Sequence, residues 1–316
     1  MTSNNPQTWL VIFDRLSHGL IAANSSSDDG TIVFRPFDWL EVHSLVFEQF
    51  HRQDFEDLSN ETYPFASVVD ELTQKAQLAG RRIQTLNLRD SNELPRERVS
   101  DLTATDIVVI RLHNAVGDDA LAARENADSL LSCVLDELLS LQTTSSSNTA
   151  KDSRDITLIV TASRGITKAL PDSFDSALNQ SSVHVPLWIY SPSLPARRSQ
   201  VVCGSRDLAP TLAEVTGLPL NIADQESAKS LLELANEENA ERILELNGPG
   251  WRALRTATYL LVIRDADLDA DESPDVSNSD PVRRLYLKPD DYWNVNDVYA
   301  SYEEIAKLLE ETASNS

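Results

Sequence analysis

Cysteine is almost missing from this chain: its 316 residues hold two, Cys133 and Cys203. Two thiols over that length make no disulfide framework, and both read as free packing residues, Cys133 at the edge of a helical apolar stripe. Basic residues are scarce as well, with 27 Lys plus Arg against 50 Asp plus Glu, for a formal net charge of −23 and a pI near 4.5. A field of that sign repels polyanions, which excludes nucleic acid and anionic membrane surfaces as partners. Long apolar runs are lacking too. Residues 9–13 form the first one, too short for a signal-peptide core or a membrane span, and no Lys or Arg precedes it. The expected compartment is therefore cytoplasmic, with no membrane partner. Among the five histidines, His18, His43 and His51 show no metal-ligand spacing with a cysteine or a second histidine.

What is present is a globular composition, 41% hydrophobic, with enough length to bury a substantial core. Apolar runs at 9–13, 83–88, 106–112, 156–161 and 185–190 are separated mostly by amphipathic helical stretches. That alternation reads as βαβ units: an α/β protein in three αβα layers, its central sheet mainly parallel. The clearest helix runs from Leu121 to Leu141, with Ala127, Leu130, Leu131, Val134, Leu135, Leu138 and Leu141 on one stripe. Asp207 is placed to cap a short helix that turns Leu208, Leu212 and Val215 inward and ends at Gly217. The polar stretch 143–153 reads as a linker, and the acidic stretch 265–281 lacks the Gly and terminal Glu of an EF-hand loop. A last helix is expected after Ser301, with Glu304 completing a capping box and Tyr302, Ile305, Ala306 and Leu309 facing in. The expected division is a large αβα domain over 1–245 and a small antiparallel-sheet and helix subdomain over 246–316.

Several blocks carry a resemblance. Trp9-Leu-Val-Ile-Phe-Asp14 reads as a buried first strand, and Phe37-Asp-Trp-Leu-Glu-Val-His-Ser-Leu-Val-Phe-Glu-Gln-Phe50 as a helix leading to a nucleophile segment. Asp155-Ile-Thr-Leu-Ile-Val-Thr-Ala-Ser-Arg-Gly165, His184-Val-Pro-Leu-Trp-Ile-Tyr190 and Ser205-Arg-Asp-Leu-Ala-Pro210 follow in order. Trp251-Arg-Ala-Leu-Arg-Thr-Ala-Thr-Tyr259 and Arg284-Leu-Tyr-Leu-Lys-Pro-Asp-Asp-Tyr-Trp-Asn-Val-Asn-Asp-Val298 complete the set. In order and spacing these blocks resemble the alkaline-phosphatase/sulfatase superfamily.

That resemblance implies a metal-dependent ester hydrolase, but the residues that would carry the chemistry differ. The family strand that ends in Thr-Ser-Asp-His-Gly ends here in Ala162, Ser163 and Arg164, and its first strand, normally closed by paired acids, offers Asp14 followed by Arg15. A hard divalent cation wants several anionic oxygens, whereas Ser163 brings a neutral hydroxyl and Arg164 a permanent positive charge. The family nucleophile, a Cys or Ser in a Cys/Ser-x-Pro/Ala-x-Arg motif, has no counterpart: no cysteine occurs between residues 14 and 80, and the helix block runs into His51-Arg-Gln-Asp-Phe-Glu-Asp57. Asp14, Arg15, His113, Ser163 and Arg164 are thus expected to line a vestigial cleft, with Arg164 paired to Asp14 where the ion would sit. No catalytic residue, metal or cofactor is assigned. The expected function is a non-catalytic sulfatase-like module that binds a small anion or a partner protein; the alternative is a sulfuric or phosphoric ester hydrolase with an atypical site.

Overall fold

A computed structural model describes residues 6–16, 21, 35–53, 65–89, 102, 105–113, 120–144, 155–165, 183–220, 227–237, 241–248, 250–264 and 281–314. The acidic residues 265–280, most of the 143–153 linker and His18 lie outside them.

Each apolar run found in the sequence is a strand of one sheet: β1 (Gln7–Arg15), β4 (Ile83–Arg89), β5 (Ile107–His113), β6 (Ile156–Arg164) and β7 (Leu187–Tyr190). Two short strands, β2 (Leu45–Phe47) and β8 (Arg197–Ser199), complete the order β4-β5-β1-β6-β7-β2-β8. The first four are mutually parallel, and β7 runs antiparallel to its neighbours β6 and β2. Trp9 through Phe13 are all fully buried, as strands covered on both faces require. Helix α1 (Pro36–His43) packs on α3 (Ala120–Thr144), and Arg81, just beyond α2 (Ala66–Leu78), donates to the Thr216 carbonyl at the end of α4 (Leu208–Thr216). The result is a mixed, mostly parallel sheet between helical layers. Along α3 the expected stripe holds: Ala127, Leu130, Leu131, Val134, Leu135 and Leu138 are buried and Leu141 packs at the margin.

The block 37–50 departs from the expected single helix. Its chain leaves the helix at Ser44, in extended backbone, and Leu45-Val46-Phe47 joins the sheet. Apolar residues continue at helical spacing past Ser44, but β-branched and aromatic side chains packed on a sheet favour the strand there. A further short strand, β3 (Phe50–His51), pairs in parallel with β9 (Cys203–Gly204).

The C-terminal part is a four-stranded antiparallel meander: β10 (Leu244–Gly248), β11 (Trp251–Arg255), β12 (Tyr259–Arg264) and β13 (Val282–Leu287). It begins at Leu244, beside the boundary expected at 245/246. One face, with Leu254, Leu261, Ile263 and Leu285, is covered by α6 (Glu303–Ser314) through Ala306 and Leu309. The other, with Leu246, Trp251, Ala253, Val262 and Tyr286, packs on Val183 of the large sheet domain. Helix α6 starts two residues after Ser301, which belongs to a preceding 3₁₀ turn. Tyr302 is 39% exposed rather than inward, resting against Tyr259.

Candidate functional site

In open α/β sheets, ligands lie outside the carboxyl ends of the strands, and here β1 is an interior strand between β5 and β6. The parallel register pairs Phe13 with both Leu112 and Ala162. One residue further on, Asp14, His113 and Ser163 therefore form a row across three adjacent strands, on one face of the pleat. All five residues expected at this cleft thus lie at the same edge of the sheet.

Their partners differ from the expectation. His113 Nδ1 lies 2.7 Å from Asp14 Oδ2. An ionised carboxylate only accepts, so in this contact the imidazole donates from Nδ1. Among the described residues no ion pair joins Asp14 to Arg164, which corrects the expected salt bridge. The cause is alternation along the strand. Arg164 is in register with Arg15, one position past Asp14, and successive side chains leave opposite faces. Burial holds the Arg164 guanidinium below its ordinary range, the neighbouring Arg15 adds to the effect, and Asp14 opposes it from a distance. Ser163 is buried at 3% exposure, and its hydroxyl has no hydrogen-bond partner.

A divalent cation does not fit this donor set. Asp14 is the single carboxylate of the row and its near oxygen is engaged by His113, while two arginines sit in register beside it. Among the described residues no three His, Cys, Asp or Glu side chains converge. The row does not make a nucleophile relay either. Asp14 stands between Ser163 and His113, so the histidine is two strands from the hydroxyl, about 9–10 Å at ordinary strand spacing, when a base must touch its nucleophile. The segment following the β3 strand, where the family nucleophile would fall, lies outside the described residues.

Among the described residues, His43, His51 and His184 are structural, as are Ser205 and Asp207. His43 stacks on Trp39 and bonds its carbonyl. His51 and His184 are bridged backbone to backbone, with ring centroids 5.1 Å apart. Ser205 accepts from the Gln53 amide at 3.1 Å. Asp207, fully buried, occupies the position before α4 without capping it through its side chain. Its carboxylate accepts from the Gly204 and Lys229 amides at 2.8 and 3.0 Å and from both terminal nitrogens of Arg242 at 2.6 and 2.7 Å. Arg242 carries no local signal, because its partner lies 35 positions away and outside any periodic element.

No protein-family model matches the chain, and no curated protein does. Solved structures do. One, from work on a Bacteroides thetaiotaomicron locus for metabolism of multiple glycosaminoglycans, is 12% identical, covering 96% of this chain and 94% of its own with a TM-score of 0.61. A 2-O GAG sulfatase is 11% identical over 98% of this chain and 90% of its own, with a TM-score of 0.56. The phosphonate monoester hydrolase of Agrobacterium radiobacter is 10% identical over 98% of this chain and 95% of its own, with a TM-score of 0.60. Such identities speak to architecture alone. With the β4-β5-β1-β6-β7-β2-β8 sheet and the C-terminal meander, they establish that this chain has the alkaline-phosphatase/sulfatase fold.

Proposed function

We propose that the chain keeps this fold as a non-catalytic binding module, with a small anion or a partner protein as the occupant of the cleft formed by Asp14, Arg15, His113, Ser163 and Arg164. The supporting observation is the charge at the strand edge: one carboxylate already bonded to a histidine, followed by the in-register pair Arg15 and Arg164. A site of that sign attracts an anion and repels a metal ion.

A second reading, an ester hydrolase with an atypical site, draws on the Asp14–His113 pair, since a histidine oriented by a carboxylate is the usual form of a general base. Calcium separates the two in the full chain. The binding-module reading expects no stoichiometric calcium or magnesium by elemental analysis, and the same melting temperature with added calcium and with chelator. A bound equivalent of metal that is lost in Asp14→Asn would support the hydrolase instead.

A further inference from the structure

The face of the small sheet opposite α6 carries two cations that have no acidic ion-pair partner among the described residues. Arg255 ends β11 and is in register with Leu260, itself opposite Tyr286 on β13. Lys288 follows Tyr286 by two residues and so leaves the same face. Arg255 is 2% exposed and Lys288 4%. Arg255 Nη2 donates to Gln49 Oε1 at 3.0 Å, which ties the two sheets together, but its Nε and Nη1 have no hydrogen-bond partner. Lys288 Nζ donates to the Asp291 carbonyl and to Asn294 Oδ1, both neutral oxygens, and stands 5.9 Å from the Tyr286 ring centroid. Among the described residues neither cation forms an ion pair.

Desolvating one unpaired charge costs several kcal/mol, and two of the same sign close together cost more. This chain has 50 acidic residues to supply counter-charge, and elsewhere buried ions are matched: Arg124 faces Asp128 at 3.8 Å, and Asp207 is bonded by Arg242 and two amides. At Arg255 the opposite holds: N–H donors in a planar fork are buried and left open. A fork of that kind matches the geometry of an oxyanion, with the lysine as the second charge.

We propose that the junction between the two sheets holds a free inorganic oxyanion, phosphate or sulfate, bound by Arg255 and Lys288. Both side chains are almost closed off from solvent, so the ligand proposed is the bare ion rather than an ester. This site is separate from the strand-edge cleft and does not depend on the function proposed for it.

Isothermal titration of the full chain, freed of oxyanions by dialysis into chloride buffer, tests the assignment with inorganic sulfate, inorganic phosphate and phenyl sulfate at matched ionic strength. Saturable binding of at least one inorganic ion is expected. Arg255→Met and Lys288→Met should each weaken it about tenfold or more, the worth of one charge-assisted hydrogen bond. Arg252→Met, on the opposite face of β11, should leave it unchanged. In chloride, melting temperatures of Arg255→Met and Lys288→Met should equal or exceed the wild type, because each substitution removes an unpaired buried charge, and this separates lost binding from lost folding. Three results would overturn the proposal: no inorganic ion binds, phenyl sulfate binds as tightly as sulfate, or the affinity survives in Arg255→Met.

Discussion

Asp207 and Asp14 are two aspartates of one fold in opposite situations. Asp207 is fully buried and takes four hydrogen bonds, two of them from the Arg242 guanidinium. Asp14 has a side chain 29% exposed at the end of β1 and takes one bond, from a histidine whose side chain is equally exposed. The first organises its surroundings, fixing the turn before α4 and the segment that carries Lys229 and Arg242. The second sits where this fold places ligands and holds nothing rigid. The scaffold holds a fully satisfied structural carboxylate at Asp207, while the strand edge has one carboxylate and two arginines, the charge pattern on which the proposed anion site rests.

The largest expected effect follows from Asp207. Asp207→Ala would leave Arg242 and two amides without their acceptor, and should cost about 3–5 kcal/mol of unfolding free energy in denaturant titration. A loss below about 1 kcal/mol would erase the contrast with the strand edge.

At the strand edge the losses should be small. Both partners of the Asp14–His113 pair are partly solvated, so His113→Ala should cost no more than about 1 kcal/mol. In double-mutant cycles, Asp14→Asn should couple measurably to His113→Ala and hardly at all to Arg164→Ala, because the latter leaves the opposite face of its strand. A strong Asp14–Arg164 coupling would restore the salt bridge expected from the sequence.

A third, smaller effect concerns the sheet junction. Burial, with Arg255 nearby, pushes Lys288 down to about 8, against the partial opposition of Asp291. Tyr286 and Asn294 are its other close neighbours. An unfolded lysine titrates near 10.4. Below about 8 both states are protonated and the burial penalty is fully present; between about 8 and 10 the unfolded state binds more protons, so stability rises with pH. Cys203, pushed well up by burial, acts in the opposite direction. The comparison must therefore be with Lys288→Met: over that window in chloride buffer, the wild type should gain stability relative to the variant. An unchanged difference would mean that Lys288 keeps an ordinary charge.

The five apolar strands of the large sheet and α3 were legible because their signal is local: apolar runs between polar breaks, and one stripe at helical spacing. The short strands β2, β3, β8 and β9 carry two or three residues each and depend on long-range pairing, which is why Leu45-Val46-Phe47 read as helix. The strand-edge residues were legible as a group, since each ends a strand. Their partners were not. Whether Asp14 meets His113, 99 positions away, or Arg164 depends on register and pleat, and a shift of one residue reverses the face. Asp207 was placed correctly before α4, yet its main role rests on Arg242, which no periodicity marks. Arg255 and Lys288 lay inside blocks recognised for their resemblance, but their burial without counter-charge is visible only once the two sheets are packed together.

The central claim, that the strand edge binds without hydrolysing, is tested most directly by turnover of aryl sulfate and aryl phosphate by the repurified full chain with calcium present. Rates indistinguishable from the buffer blank are expected, for wild type and Asp14→Asn alike. Turnover that persists through repurification and falls in both Asp14→Asn and His113→Ala would contradict it and make the Asp14–His113 pair part of an active site.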